Sequence, residues 1–184
     1  MAEYVKISIT GGVELQQMIT QMQGDFGEKE TNKVLVSALR SSFAPALAKA
    51  KQLAEIGGEG YTRPYATGEL AASLRIEARK PTRRDRNSKY VQEGDAVIAK
   101  ITTAPKSKLV KIRAAIAKRR GKKFDASKIQ HFDGRAVAQE FGTSRMSAKP
   151  FLRPALESTQ REVLSLLAER IKMRINQYRA RNTR

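Results

Sequence analysis

Few residues in this chain could do covalent chemistry. It has 184 residues with one histidine, His131, and no cysteine. That removes disulfides, thiolate nucleophiles, thiolate metal sites and multi-histidine metal sets. His131 and Asp133 could form an oriented imidazole, but no serine nucleophile elbow and no second histidine accompany them. A packing or surface histidine is the expectation. Gly57-Gly58-Glu59-Gly60 is glycine-rich, yet no Gly-Lys-Ser/Thr follows, so it reads as a flexible turn and not a phosphate loop. The carboxylates do not gather as a two-metal or glycosidase site would require. No enzyme activity, metal or cofactor is expected.

The chemistry that the composition favours is electrostatic. Lys and Arg number 36 against 18 Asp and Glu, a formal net charge of +18 and a pI near 10.5. The charge is unevenly spread: residues 1–74 carry a net −1, residues 75–135 a net +13 and residues 136–184 a net +6. Asymmetry of this kind points to a polyanionic partner. The candidate contacts are Arg83, Arg84 and Arg86, then Lys108, Lys111, Arg113, Lys118, Arg119, Arg120, Lys122 and Lys123. They could neutralise phosphates or meet an acidic protein neighbour. A solvated face that keeps the protein soluble accounts for the same residues. Aromatic residues make up only 6% and do not interleave with the basic runs, which argues against base stacking on single strands.

The elements that must carry these residues follow from periodicity. Val5, Ile7 and Ile9 alternate with Lys6 and Ser8, a half-buried strand over 3–10. Leu15, Met18, Ile19 and Met22 predict a short helix ended by Gly24. Leu35, Leu39, Phe43, Leu47, Ala50 and Ala54 predict a longer one, kinked or split at Pro45. Thr67 is placed to cap a short helix that runs into a strand marked by Leu74, Ile76 and Ala78. Residues 81–95 read as a hairpin or long loop, and Val97, Ala99 and Ile101 as a third strand. Leu109, Ile112 and Ile116 make a narrow apolar stripe in a basic helix over 106–120, stopped by Gly121. Residues 135–141 read as a fourth strand. Leu156, Val163, Leu167, Ile171, Ile175 and Tyr178 predict a C-terminal helix that Pro154 opens. No run approaches the ~20 apolar residues of a membrane span, and the first residues lack the pattern of a secretory signal.

The most specific stretch is Glu140-Phe141-Gly142-Thr143 followed by Pro150-Phe151-Leu152-Arg153-Pro154-Ala155-Leu156. It reads as a strand, a turn at a glycine free to take positive φ, and Phe151-Leu152 stapling the start of a helix. These blocks resemble the signature of the tail-completion proteins of long-tailed bacteriophages, also called head–tail joining or neck proteins. Thr67-Gly68-Glu69-Leu70 with Ser73-Leu74 resembles that family's Thr-Gly-x-Leu-x-x-Ser-hydrophobic block, about 70 residues upstream. The resemblance implies an α+β fold, with a small, mostly antiparallel sheet of about four strands packed by a long helix and a C-terminal helix. It implies a single domain over 1–184, in which the basic stretch at about 81–134 is an insert longer than a plain strand-loop-strand. It further implies a virion protein, made in the host cytoplasm, that forms a homo-oligomeric ring at the head-proximal end of the tail. Its partners would be the neighbouring neck and tail proteins (head-completion or stopper, tail terminator and tail tube), with transient non-specific contact to the genomic DNA and none to a membrane. The rival reading is a basic nucleic-acid-binding protein of the nucleoid- or ribosome-associated type, which the net charge favours.

Overall fold

The computed structural model describes residues 12–56, 68–89, 91–92, 94–129, 134–145 and 147–182. Among these residues the fold is mixed and mostly helical, with one small two-stranded antiparallel sheet. In chain order the elements are α1 (Gly12–Ser42), α2 (Ala44–Ile56), α3 (Glu69–Ser73), β1 (Leu74–Arg79), α4 (Arg83–Arg86), β2 (Ile98–Thr103), α5 (Lys106–Arg119), a 3₁₀ turn (Ala126–Lys128), α6 (Gly134–Phe141) and α7 (Leu152–Asn182). The chain divides into two compact units of interleaved segments. The first holds the described residues within 46–75 and 101–158, and the second those within 12–45, 76–100 and 159–182.

In the second unit, α1 is interrupted at Gly27, whose φ of 75° and ψ of 160° lie outside the helical region. Only glycine adopts that conformation without strain. The expected stop at Gly24 is displaced by three residues: the helix runs through Gly24 and breaks at Gly27. Met22 from before the break and Leu35 and Ala38 from after it pack against Leu167, Ile171 and Ile175 of α7. The i, i+4 spacing of the α7 residues sets one continuous stripe along that helix, as the sequence predicts. Arg174 adds a polar tie to α1, donating to the Ser37 hydroxyl at 3.3 Å.

At Pro45 the helix divides. Ser42 ends α1 and Ala44 begins α2, so the proline falls in the first turn of the new helix, where its missing N–H is tolerated. In the first unit Ala50 and Ala54 of α2 join Leu70, Leu74, Ala136, Phe151 and Ala155 in one core. A second small core holds Ala104, Leu109 and Ile129.

Several sequence expectations are corrected. The sheet has two strands among the described residues, not about four. The strand expected at 3–10 lies outside the described residues. The fourth strand, at 135–141, is the helix α6: Ala136, Gln139 and Glu140 are buried while Val137 and Phe141 are exposed, a 3.6-residue period and not an alternation. The stretch 81–95 contains the one-turn helix α4 and is not a plain loop. The N-cap of α3 is Gly68, at φ 64°, with no side-chain cap; Thr67, expected in that place, lies outside the described residues.

Candidate functional site

The corner that carries the Phe-Gly-Thr and Pro-Phe-Leu-Arg-Pro blocks is built around one carboxylate. Helix α6 ends at Phe141, and Gly142 follows at φ 75°, its N–H bonding to the Ala138 carbonyl at 2.9 Å. This is the left-handed C-terminal cap of a helix, so Gly142 turns the chain out of a helix and not out of a strand. Glu140 sits one turn-face inward from the exposed Phe141 and is only 8% exposed. Its Oε2 accepts the backbone N–H groups of Phe151 and Leu152, both at 2.8 Å, and its Oε1 accepts that of Arg153 at 3.1 Å.

Those three donors open α7. The first intrahelical bond runs from the Ala155 N–H to the Phe151 carbonyl, which makes Phe151 the N-cap residue. A helix leaves its first four N–H groups without internal partners. Here the first three go to Glu140, and the fourth position is Pro154, which has no N–H at all. The carboxylate also lies at the positive end of the helix dipole, where negative charge is stabilised. An ordinary N-cap is a small polar residue that satisfies these donors itself. Because a remote glutamate performs that task, the N-cap position is free to hold an aromatic ring, and Phe151 is fully buried. The expected staple is therefore replaced by a different device: Phe151 is the cap residue itself, and Leu152 is its half-buried successor. The intervening loop returns along α6, with the Lys149 N–H bonding to the Gln139 carbonyl at 2.8 Å. Thr143 and Pro150 are exposed on it, and the Thr143 hydroxyl accepts the Arg145 N–H at 3.3 Å.

A second constellation joins three helices of the same unit. Glu69, in the first turn of α3, accepts from Arg135 of α6 at 2.7 Å, and the Arg113 Nε of α5 lies 3.9 Å from the same oxygen. All three side chains are between 21% and 29% exposed. Glu69 and Arg135 were not singled out in the sequence, since no local spacing signals an ion pair across 66 residues. Arg113, one of the candidate polyanion contacts, is half-buried beside Glu69.

The remaining residues of the basic stretch do reach solvent. Lys108, Lys111, Lys118, Arg119, Arg120, Lys122 and Lys123 are all exposed, as is Lys106, and among the described residues none of them is ion-paired. Leu109 is buried, with Val110 and Ile112 packed beside it. The left-handed Gly121, at φ 62°, ends the helix.

In the other unit, Arg83, Arg84 and Arg86 are exposed on α4. That single turn is closed by a reciprocal cap: Thr82 takes the Asp85 N–H and Asp85 takes the Thr82 N–H. Arg79 forks onto both carboxylate oxygens of Asp85 and also onto Glu77 at 2.7 Å. The Arg79 hydrogen bonds hold the Asp85 carboxyl well below the usual carboxylate range, with the Thr82 bonds helping and burial opposing. This unit also has an open groove of about 640 Å³, lined by Lys29, Asn32, Lys33 and Arg40 of α1 and by Lys80. Glu30 and Glu28 pair with Lys33 and Lys80 there, at 2.6 and 3.2 Å, so part of its charge is already neutralised.

Among the described residues, no group of three histidine, aspartate or glutamate side chains could hold a metal, and no helix is long and apolar enough to cross a membrane. His131 and Asp133 lie outside the described residues. No family model, curated protein or solved structure matches this chain.

Proposed function

We propose that this chain is a non-enzymatic structural protein of a phage virion, closing into a homo-oligomeric ring in the neck, where it completes the tail for joining to the head and for passage of the genome. One observation carries the reading. The two sequence blocks behind the family resemblance, about 70 residues apart, meet in a single core: Leu70 and Leu74 from the first block pack with Phe151 and Ala155 from the second. Residues that share one core are constrained together, which supports reading the two blocks as parts of one signature.

The exposed surface beside that core supports an assembly role. Val137 and Phe141, 51% and 41% exposed, are one helical turn apart on α6. A neck protein buries its interfaces only on assembly, so the free chain is expected to be a monomer that closes into a ring on the tail. Cryo-electron microscopy of purified virions is the test, with the expected result a closed ring of this chain between head and tail. Its absence from purified particles, with the protein confined to the host cytosol, sinks the proposal. Neighbouring genes for portal, capsid, tail-tube and tape-measure proteins are the expected genomic setting.

A further inference from the structure

Helix α5 is six-fourteenths Lys and Arg and has no acidic residue, and the next carboxylate along the chain is Asp125. A surface meant only for solubility interleaves charges of both signs. Elsewhere in the described protein such mixed-sign pairs occur: Lys33 with Glu30, Lys80 with Glu28 and Arg79 with Asp85. On α5 the one cation with an acidic partner, Arg113, has turned inward to Glu69.

The outward cations form a pattern. At 3.6 residues per turn, Lys108, Lys111 and Ala115 follow one another at spacings of three and four residues, Lys118 and Arg119 lie three and four residues beyond Ala115, and all five are exposed. They form an exposed stripe about 100° wide that flanks the face burying Leu109. Its two ends are the pairs Lys108/Lys111 and Lys118/Arg119, whose centres are about 13 Å apart at 1.5 Å rise per residue. Ala115 lies between them and projects only a methyl group. The B-form major groove is about 12 Å wide.

We propose that the outer face of α5 seats duplex nucleic acid by its phosphates without reading sequence, the two cation pairs taking the phosphate rows on either side of one groove. A protein partner fits this face poorly. Protein interfaces have an apolar or aromatic centre and are depleted in lysine, whereas this stripe has lysines and, at its centre, one alanine. A single strand fits poorly as well, because the stripe offers no aromatic ring for a base to stack on. Phosphate rows ask only for mobile cations at the right separation. The inference does not rest on ring assembly, and its test does not involve the virion.

The experiment measures binding of the full chain to a random-sequence 30-base-pair duplex by fluorescence anisotropy between 50 and 200 mM salt. One variant replaces Lys108, Lys111, Lys118 and Arg119 with Gln. A second, with equal charge loss, replaces the exposed Lys29, Arg161, Arg170 and Lys172. Both are checked for wild-type melting, which is expected because every altered side chain is exposed. The slope of log K against log salt is expected to fall by about 3–4 in the α5 variant and by less than about 1 in the other. The proposal is overturned by any of four results: no wild-type binding at 50 mM salt, equal loss in both variants, single strands bound as tightly as duplex, or polyglutamate competing as well as duplex at equal charge.

Discussion

Glu140 makes three backbone hydrogen bonds from a nearly buried position, so its replacement separates charge from shape. Glu140→Ala leaves the N–H groups of Phe151, Leu152 and Arg153 without their acceptor. Loss of a helix cap costs about 0.5–2 kcal/mol, and an unsatisfied buried donor about 1–3 kcal/mol. Together these predict a loss of roughly 2–4 kcal/mol. Glu140→Gln keeps one acceptor oxygen and loses the favourable interaction with the helix dipole, so roughly 1–2 kcal/mol is expected. Denaturant titration of both variants checks the order, Ala worse than Gln. Equal and negligible losses would remove the carboxylate from the account of the corner. The role itself was not legible in the sequence. Glu140 lay inside the stretch that carries the resemblance, but nothing in its spacing says that its partners are the amides of residues 151–153. What could have signalled it is the non-polar N-cap. A helix that opens Phe-Leu-Arg-Pro, with no Ser, Thr, Asp or Asn before it, must be capped from elsewhere.

At the level of elements, legibility followed the strength of the apolar period. Strand β1, helix α5, helix α7 and the division at Pro45 were readable because Leu74/Ala78, Leu109/Ile112 and Leu167/Ile171/Ile175 repeat at the spacing that burial demands. Helix α6 was not. Its inward face is made of Ala136, Gln139 and Glu140, two of them polar, so hydrophobicity pointed to Val137 and Phe141, which lie outside. The one-turn helix α4 was missed for another reason: its stability comes from Thr82, Asp85 and Arg79 and not from any apolar face. That makes it sensitive to acid. Because the Asp85 pKa is lowered in the folded protein, its contribution is fully present above the ordinary carboxylate value of about 3.9 and is lost as pH falls below it. Asp85→Ala removes both cap and ion pair and should cost roughly 1–2 kcal/mol at neutral pH. The gap in stability between wild type and Asp85→Ala should narrow progressively as pH drops from about 4 towards 2. Urea titrations at several pH values measure it, and a gap that stays constant through that range would mean that the carboxylate charge contributes nothing to folding.

For the whole molecule, the corner offers two aromatic rings with opposite surroundings, and the pair can tell folding from assembly. Phe151 is fully buried in the core that unites the two sequence blocks, whereas Phe141 projects to solvent beside Val137. Phe151→Ala opens a cavity and should cost about 3–5 kcal/mol. With typical domains stable by only ~5–15 kcal/mol, that is a large share of the total, and the melting temperature should fall by roughly 6–20 °C for a chain of this size. If the chain forms the proposed neck ring, particles made with this variant should be few because little folded protein is available. The double change Val137→Ser and Phe141→Ser alters exposed side chains, where substitutions usually shift stability by less than about 0.5 kcal/mol. If the α6 face is buried between subunits of the proposed ring, this variant should melt like wild type yet leave tails unable to join heads, since apolar anchors at the centre of an interface carry most of its energy. Melting curves and infectivity, measured for both variants, give two separable outcomes. A double variant with wild-type melting and wild-type infectivity would take the α6 face out of the assembly while leaving the Phe151 core untouched. The ring would then have to close through a different surface of the chain.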